Sequence, residues 1–384
     1  MRNYLYKVAC EHFAFGLALS VNVVWQLSRG LTLGQAALIE AVALAVRFLL
    51  DVPTGRLSDR LGRKPVLVAA SAFFGFGYLT LSVAHTFITF LIAALLSAVG
   101  FALLSGSEEA LVFETASTNY RYSYSRLTVV DEAATITGLL VSALIVKFYG
   151  IQASLVAAAA IMGLTVAIGL IFIQEPPRRR AVAAGKSTLS QAVANTRQLL
   201  RVHLPLIAIF LCLAVYNEAG RVLWQPRLTE AGLAVQYLGL TFALFKVASL
   251  IGAYLARHQR MRDIRRELVW VGGLLAAALA LMAAPILALV IIGFMAYFAL
   301  ENVYRIAQSH YLQQIAPDNN RATLLSVAGF TRTGYSFLTL PVLGYLSQGG
   351  RTRSGFLLLV GLQVVAAAVL FAMAKRQPSA TPAS

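Results

Sequence analysis

The chain has 384 residues and a formal net charge of +16, with 59% hydrophobic and only 12% charged residues. A globular protein carries about 25% charged residues, so this composition excludes a single water-soluble domain. The basic residues lie in short loops between apolar runs and not on one polar face, which argues against a nucleic-acid partner.

Apolar runs divide the chain into candidate transmembrane helices. A helix needs about 20 apolar residues to cross the hydrocarbon core, and by this measure the sequence predicts twelve spans. In chain order they are 5–27, 33–53, 66–85, 87–113, 127–149, 151–174, 204–226, 235–256, 268–284, 286–310, 322–347 and 354–374. The first run is too long to be the apolar part of a cleavable signal peptide, so we expect it to remain as a helix.

Lysine and arginine residues in the loops indicate how the spans are oriented. With the N-terminus in the cytosol, nearly every basic loop residue falls on the cytosolic side. Lys7 is counted on that side, whereas Arg227 is among the few counted outside. This bias predicts a multi-pass protein of the cytoplasmic (inner) membrane with both termini in the cytosol.

A short basic segment between the second and third spans is the most informative motif. It runs from Asp51 to Pro65 and contains Gly55-x-Leu57-x-Asp59-Arg60-x-Gly62-Arg63-Lys64. This spacing of glycine, acid and base resembles the signature loop of the major facilitator superfamily, which lies between that family's second and third helices. The resemblance implies an all-α integral membrane protein with twelve transmembrane helices, arranged in two pseudo-symmetric six-helix bundles around a central cavity.

The same resemblance implies that the segment is a gate on the cytosolic side. Gly55 is expected to allow close helix approach, and Asp59 to meet the N-terminal dipole of a helix in the other half. Arg60 and Arg63 are expected to bridge to Glu114, because the end of span four looks like the family's fourth-helix ending. The predicted gate comprises Asp51, Gly55, Asp59, Arg60, Gly62, Arg63 and Glu114. The alternative is that these charges only set the topology.

A polar segment in the middle of the chain separates six spans from six. We expect an N-terminal bundle of residues 1–174, a cytosolic linker of residues 175–203, a C-terminal bundle of residues 204–375 and a disordered tail of residues 376–384. The linker mixes leucines with polar residues, which indicates either an amphipathic helix on the membrane surface or a disordered connection. Two halves of six spans are the parallel repeat expected of this superfamily's fold.

At least twelve ionisable residues fall within the predicted spans. At about 3 kcal/mol each, facing lipid would cost about 35 kcal/mol in total, more than a typical net stability of about 5–15 kcal/mol. Most of them must therefore face the bundle interior or a water-filled cavity. The candidates for proton coupling and substrate binding are Glu11, Glu108, Glu109, Asp131, Glu132, Glu218, Arg221, Glu301 and Arg305, and the polar residues expected to line the cavity are Asn22, Gln26, Gln225 and Arg332.

Crowded carboxylates in the first half supply the chemistry for proton coupling. Carboxylates that cluster in a medium of low dielectric constant repel one another, and we expect at least one to hold a proton near neutral pH. Two i,i+4 pairs, Arg47 with Asp51 and Glu301 with Arg305, can instead simply neutralise each other. His12 is placed near a helix end and is given no role.

The resemblance and the charges together predict a proton-coupled secondary active transporter that works by rocker-switch alternating access. The predicted substrate is a small organic molecule, an amphipathic cation or a zwitterion, and the predicted direction is efflux. The cavity charges of the first half are net negative and those of the second half, Lys246 among them, are net positive, which suits a zwitterion. The alternatives are an importer of a small zwitterionic solute, a lipid flippase and a transport-derived sensor.

The sequence shows no recognisable enzymatic motif: no nucleophile–base pair, metal-ligand cluster or nucleotide-binding loop. We therefore expect no enzymatic activity, no metal, and no cofactor beyond the proton gradient. The expected partners are a small-molecule substrate, protons and the lipid bilayer, without nucleic acid. The family resemblance implies a monomer.

Overall fold

The computed structural model describes residues 2–115, 120–173, 222–258, 264–315 and 321–376. All regular structure in these residues is helical. The predicted linker (175–203), most of the predicted seventh span (204–226) and the predicted tail from residue 377 lie outside the described residues.

Thirteen α-helices and one short 3₁₀ helix (Val235–Tyr237) follow one another along the described residues. The α-helices are α1 (Arg2–Leu19), α2 (Asn22–Ser28), α3 (Leu33–Leu61), α4 (Arg63–Val83), α5 (Phe87–Thr115), α6 (Tyr120–Tyr149), α7 (Ile151–Phe172), α8 (Trp224–Glu230), α9 (Leu238–His258), α10 (Ile264–Met282), α11 (Leu287–Ile315), α12 (Arg321–Leu346) and α13 (Thr352–Arg376). In this part of the chain nine helical segments are long and apolar enough to cross a membrane, and two shorter apolar helices cover Glu267–Met282 and Gly334–Leu346. Every predicted span except the seventh therefore coincides with helix.

Local sequence explains several helix ends. Thr32 and Gln35 form a reciprocal capping box at the start of α3, with hydrogen bonds of 3.2 and 2.9 Å between each side chain and the other residue's backbone N–H. Gly150, with φ +84°, separates α6 from α7. Pro285 lies in the turn between α10 and α11, where the sequence places the boundary of two spans.

The signature segment is largely helical, which corrects the prediction of a loop from Asp51 to Pro65. α3 continues through Pro53 to Leu61, and Gly62 alone separates it from α4. Gly62 has φ +102°, a conformation that residues with a Cβ rarely adopt. Arginine is a good helix former, which favours helix in the charged stretch, and α3 contains Pro53 in its interior.

The chain falls into two compact units. The first comprises Met1–Ala181, Gly232–Lys246 and Leu340–Gln348, and the second comprises Val182–Ala231, Val247–Thr339 and Gly349–Ser384. In the first unit α1 packs against α6 and α7, α4 packs against α5 and α7, and α3 packs against α5. In the second unit α10 packs against α11 and α13.

Glycines bring α1 and α6 into backbone contact. A Cβ built on Gly16 would overlap Thr135 O and the backbone of Gly138, and a Cβ on Gly138 would overlap the backbone of Phe13. Small residues at helix contacts let membrane helices approach closely, where dispersion and hydrogen bonds hold them together. The face of α6 that carries Thr135 and Gly138 is therefore a packing surface for α1.

Hydroxyl groups stabilise the break between α1 and α2. The Val21 N–H donates to Ala18 O at 3.2 Å, which leaves Leu17 O without its usual helical donor. Ser142 Oγ and Ser154 Oγ donate to Leu17 O at 3.1 and 2.9 Å. These two serines supply the hydrogen bonds that a buried carbonyl requires.

Candidate functional site

A fully buried ion pair lies near the start of α1. Lys7 Nζ donates to Glu11 Oε2 at 2.5 Å, and both side chains are 0% exposed. Ser71 Oγ on α4 donates to Glu11 Oε1 at 2.9 Å, so both carboxylate oxygens are bonded. The prediction that Lys7 is a cytosolic loop charge is therefore wrong. Lys7 lies one turn before Glu11 on the same helix face, where it supplies the counter-charge that a buried carboxylate needs.

A second carboxylate lies close to this pair. Glu108 on α5 accepts a hydrogen bond from Tyr4 Oη at 2.8 Å, and Tyr4 is buried. Glu108 is within electrostatic range of Lys7, Glu11 and His12. Sequence reasoning missed Tyr4, although its spacing of three and seven residues from Lys7 and Glu11 places all three on one face of α1.

A third ionisable contact joins α1 to α6. His12 Nδ1 lies in hydrogen-bond contact with Asp131 Oδ1, and the two side chains are 16% and 31% exposed. Thr135 Oγ1 lies 3.4 Å from Asp131 Oδ1 and 3.5 Å from His12 Nδ1. The placement of His12 near a helix end is wrong, because α1 begins at Arg2 and extends well beyond His12 on both sides.

The polar residues predicted to line the cavity are buried or paired where the structure describes them. Gln26 Nε2 on α2 donates to Asn22 Oδ1 at 3.2 Å, and Gln26 is 5% exposed. Gln26 Oε1 is buried and makes no hydrogen bond to the residues described. Gln225 on α8 is also buried. Gln26 and Gln225 are thus closed off from solvent in this structure, and their predicted position in the cavity lining stays a prediction.

Glu132 and Lys246 form an ion pair that the sequence interpretation does not connect. Lys246 Nζ lies 3.0 Å from Glu132 Oε2, and both side chains are about a quarter exposed. Both residues belong to the first compact unit. Glu132 was counted as an acid of the first half and Lys246 as a base of the second half. The predicted charge distribution, net negative in the first half and net positive in the second, therefore loses one acid and one base. This corrects the prediction that the distribution suits a zwitterion.

A polar cluster in the second unit surrounds Glu301 on α11. Glu301 is 8% exposed, and Arg305 Nε lies 3.8 Å from its Oε1, so the i,i+4 pair forms. Arg305 Nη2 donates to Asn302 Oδ1 at 2.6 Å, and Asn302 Nδ2 donates to Ser249 O at 2.9 Å. Sequence reasoning missed Asn302 and Ser249. The cluster fixes the direction of the Arg305 side chain, which stays 63% exposed.

Several predicted site residues lie beyond what the structure describes. Glu218 and Arg221 are not among the described residues, and neither are the side chains of Glu109, Glu114 and Arg332. Their roles stay predictions. Within the described ranges, no group of three or more histidine, cysteine, aspartate or glutamate side chains is placed to hold a metal ion.

Hydroxyl side chains, not glycine, attach the signature segment to α5. A Cβ on Gly55 would meet nothing within 4 Å, which corrects the prediction of close helix approach there. Thr54 Oγ1 donates to Ala102 O at 2.9 Å, and Ser107 Oγ donates to Ser58 Oγ at 2.8 Å. The contact between α3 and α5 at this level is therefore made by hydrogen bonds.

The charged residues of the segment pair with each other across the Gly62 turn. Arg63 Nη1, at the start of α4, lies 2.9 Å from Asp59 Oδ1 and donates to Ser58 Oγ at 2.9 Å. Asp51 accepts from Ser105 Oγ on α5 at 3.2 Å. Arg63 is thus paired within the motif, and the predicted bridge to Glu114 stays a prediction, because the Glu114 side chain lies outside what the structure describes.

Arg227 is a buried capping residue, which corrects its assignment to an outer loop. Arg227 Nε donates to Met282 O at 2.7 Å, and its Nη2 donates to Ala284 O. Glu230 accepts from the backbone N–H of Thr352 at 3.1 Å. A cation therefore lies at the C-terminus of α10 and an anion at the N-terminus of α13, as the helix dipoles favour.

Comparisons with known proteins relate this arrangement to transporters. The sequence profile of the Major Facilitator Superfamily matches residues 8–339. Multidrug resistance protein MdtH of Cronobacter sakazakii (strain ATCC BAA-894) is 30% identical over 122 residues. That match covers 30% of this chain and 30% of that relative's length.

Solved structures are similar over nearly the whole chain. The crystal structure of the nucleoside transporter NupG has a TM-score of 0.83 at 13% identity and covers 97% of this chain and 98% of its own. An auto-inhibited peptide transporter of the POT family has a TM-score of 0.74 at 13% identity and covers 100% of this chain and 98% of its own. At such identities the likeness shows the fold alone.

Proposed function

Because the chain belongs to the Major Facilitator Superfamily and is a multi-pass membrane transporter, not an enzyme, we propose that it exports small organic molecules in exchange for protons. Its partners are a small-molecule substrate and the lipid bilayer. We further propose that transport is coupled to protons and directed out of the cell. We also propose that the protein is a monomer in the cytoplasmic membrane with both termini in the cytosol. Rocker-switch alternating access is the proposed transport cycle, with the signature segment as its cytosolic gate.

The observation that carries the proposal is the ionisable cluster around α1. It contains the Lys7–Glu11 pair, Glu108 and the His12–Asp131 pair. Charges within membrane spans are costly and are kept mainly where they serve ion or substrate movement. With all three carboxylates ionised and the histidine neutral, Lys7 alone would leave the cluster with a net charge of −2 (three negative charges against one positive). Protons or a bound cation must supply the missing charge, which is the competition that proton exchange requires.

Aromatic side chains next to the cluster support an amphipathic cation as the substrate class. The ring of Phe15 lies 5.1 Å from that of His12 and 5.5 Å from that of Phe101. The Arg47 guanidinium already lies 4.9 Å from the centre of the Phe101 ring, in a cation–π contact. Aromatic faces beside carboxylates offer an organic cation both apolar contact and charge compensation. The name of the MdtH relative, a multidrug resistance protein, agrees with efflux of such compounds.

A second candidate function is the import of a small zwitterion. Arg305 favours it, because its guanidinium is held by Asn302 and Glu301 while most of its side chain stays exposed. A fixed guanidinium suits the bidentate recognition of a substrate carboxylate. The loss of Lys246 and Glu132 from the charge map leaves this candidate with less support than export.

Transport into inside-out membrane vesicles separates the two candidates. Ethidium is the cation probe and radiolabelled leucine is the zwitterion probe, each measured with and without a protonophore. Export predicts energised ethidium accumulation that the protonophore abolishes and that a Glu108→Gln, Asp131→Asn variant reduces. Leucine uptake confined to right-side-out vesicles would instead establish import. Ethidium accumulation that is unchanged by the protonophore would contradict proton coupling.

A further inference from the structure

We propose that the His12–Asp131 pair is the part of the cluster that takes up and releases the coupled proton, whereas the Lys7–Glu11 pair is a fixed counter-charge. This inference rests on the proposed function and assigns different roles to two neighbouring pairs on α1. Sequence reasoning treated Glu11 and Asp131 alike and gave neither Lys7 nor His12 a part in transport.

The Lys7–Glu11 pair is closed to proton exchange. Both side chains are 0% exposed, and both oxygens of Glu11 are already bonded, one by Lys7 and the other by Ser71. A proton that moves from the ammonium to the carboxylate stays within the pair and changes no net charge. Loading a further proton would leave the other charge unpaired in a dry interior, which is strongly unfavourable.

The His12–Asp131 pair is open to proton exchange. Both side chains are partly exposed, at 16% and 31%, and the contact uses only Nδ1 of the imidazole. His12 Nε2 makes no hydrogen bond to the residues that the structure describes. Imidazole has an ordinary pKa of about 6.5, so its charge changes within the physiological range.

The proton step follows from this geometry. With His12 neutral, Nδ1–H donates to Asp131 Oδ1 and Nε2 carries the lone pair. A proton delivered by water bonds to Nε2 and produces an imidazolium, while Asp131 stays ionised and the Nδ1–H···Oδ1 bond persists. Release to water on the other side of the membrane reverses the step. Thr135 acts as a positioning residue, because its hydroxyl lies within reach of both partners.

Other groups around His12 define the electrostatic setting in which the pair titrates. From α1 these are Lys7 and Glu11, and from α5 it is Glu108. Helix α4 contributes Ser71 and the buried phenol of Tyr78, which both interact with Glu11, and α7, which also packs against α1, has no ionisable side chain. Uptake of one proton at His12 therefore raises the charge of the whole cluster by one unit.

Backbone packing keeps the pair together through the cycle. One turn beyond His12, α1 touches α6 at Gly16 and Gly138 without intervening side chains. This contact holds the backbones of His12 and Asp131 at a fixed distance, so that their side chains stay within reach of each other. The pair thus changes its protonation state, not its partner.

The test is a histidine titration of the purified full chain in detergent by NMR. The chain contains five histidines, and the His12 signal is assigned by its loss in His12→Gln. If that variant does not fold, a variant that keeps only His12 provides the assignment; it replaces His85, His203, His258 and His310 by glutamine. The expected result is that the His12 signal titrates between about pH 5 and 8. In Asp131→Asn the titration midpoint should fall by about one pH unit, because the negative charge that stabilises the imidazolium is removed.

The matched control is the double variant Lys7→Met, Glu11→Gln, which removes a neutral pair and should move the His12 midpoint by less than about half as much. A His12 signal that stays constant across this pH range overturns the inference, as does a midpoint that moves in the double variant but not in Asp131→Asn. The result is independent of the vesicle assay. Titration at His12 without proton-dependent ethidium flux in the vesicles would contradict the proposed function. Proton-dependent flux without titration at His12 would contradict this inference alone.

Discussion

Replacing Lys7 by methionine should destabilise the protein, because Glu11 then lies fully buried without its counter-ion. Glu11 can then either stay ionised without a counter-ion or bind a proton, and binding a proton costs less free energy. A free carboxyl group has a pKa of about 4.3, so protonation at pH 7 costs about 4 kcal/mol at about 1.4 kcal/mol per unit. This agrees with the loss of about 3–5 kcal/mol that is typical when one partner of a buried pair is removed.

The opposite substitution should show the opposite pH dependence. In Glu11→Gln the buried Lys7 must lose its proton, which at pH 7 costs about 5 kcal/mol from an ordinary pKa of about 10.4. The folded Lys7→Met variant holds a proton that its unfolded chain has released, so its stability rises by about 1.4 kcal/mol for each pH unit that the pH falls. Folded Glu11→Gln lacks a proton that its unfolded chain binds, so its stability rises with pH by a similar amount.

The double variant Lys7→Met, Glu11→Gln is the control, because no unpaired charge remains. It should lie within about 1 kcal/mol of the wild type and show no such slope between about pH 6 and 8. The assay is unfolding by sodium dodecyl sulfate in mixed micelles, followed by far-ultraviolet circular dichroism at three pH values. Wild-type stability and a flat pH profile in Lys7→Met would refute the reasoning, because Glu11 would then have to be hydrated or otherwise neutralised.

Three further substitutions, two of them with a matched glycine control, test the packing. Gly62→Ala should cost about 1–3 kcal/mol of stability because Gly62 has a positive φ. Gly55→Ala, in open space on α3, should be neutral or stabilising by up to about 1 kcal/mol. Thermal unfolding measures both variants, and equal losses of stability would contradict the turn assignment. Gly138→Ala should cost at least about 1–3 kcal/mol of stability, since its Cβ would overlap the α1 backbone. Gly163→Ala is the control, because its Cβ meets nothing within 4 Å. Indistinguishable melting temperatures of the two variants would disprove the contact between α1 and α6. Arg227→Met should cost about 2 kcal/mol and speed hydrogen exchange in the turn between α10 and α11, and unchanged exchange there would show that the cap is dispensable.

The helices could be predicted from the sequence because the bilayer sets a length that apolar runs must meet. The i,i+4 pair of Glu301 and Arg305 could be predicted for a similar reason, since helical geometry alone brings the two side chains together. The same geometry could have identified the partnership of Lys7 with Glu11. That pair was missed because a lysine near the chain start resembles the basic residues that set topology.

The remaining contacts depend on which helices pack together, and no local pattern specifies that. His12 meets Asp131 only because α1 lies on α6, and Lys246 meets Glu132 because α9 begins within the first compact unit. The extension of α3 to Leu61 was missed for a different reason. Charged residues in short stretches suggest loops, although a helix that leaves the membrane can carry them just as well.

Proton movement in proteoliposomes tests the central claim most directly. Purified wild-type protein and the Glu108→Gln, Asp131→Asn variant are reconstituted with a pH-sensitive dye inside, and an ethidium gradient is applied. The account predicts that ethidium drives a change of internal pH through the wild type. It also predicts that the variant moves fewer protons for each ethidium, because two of the carboxylates around α1 are gone and His12 has lost its partner. Wild-type proton movement through the variant would contradict the account.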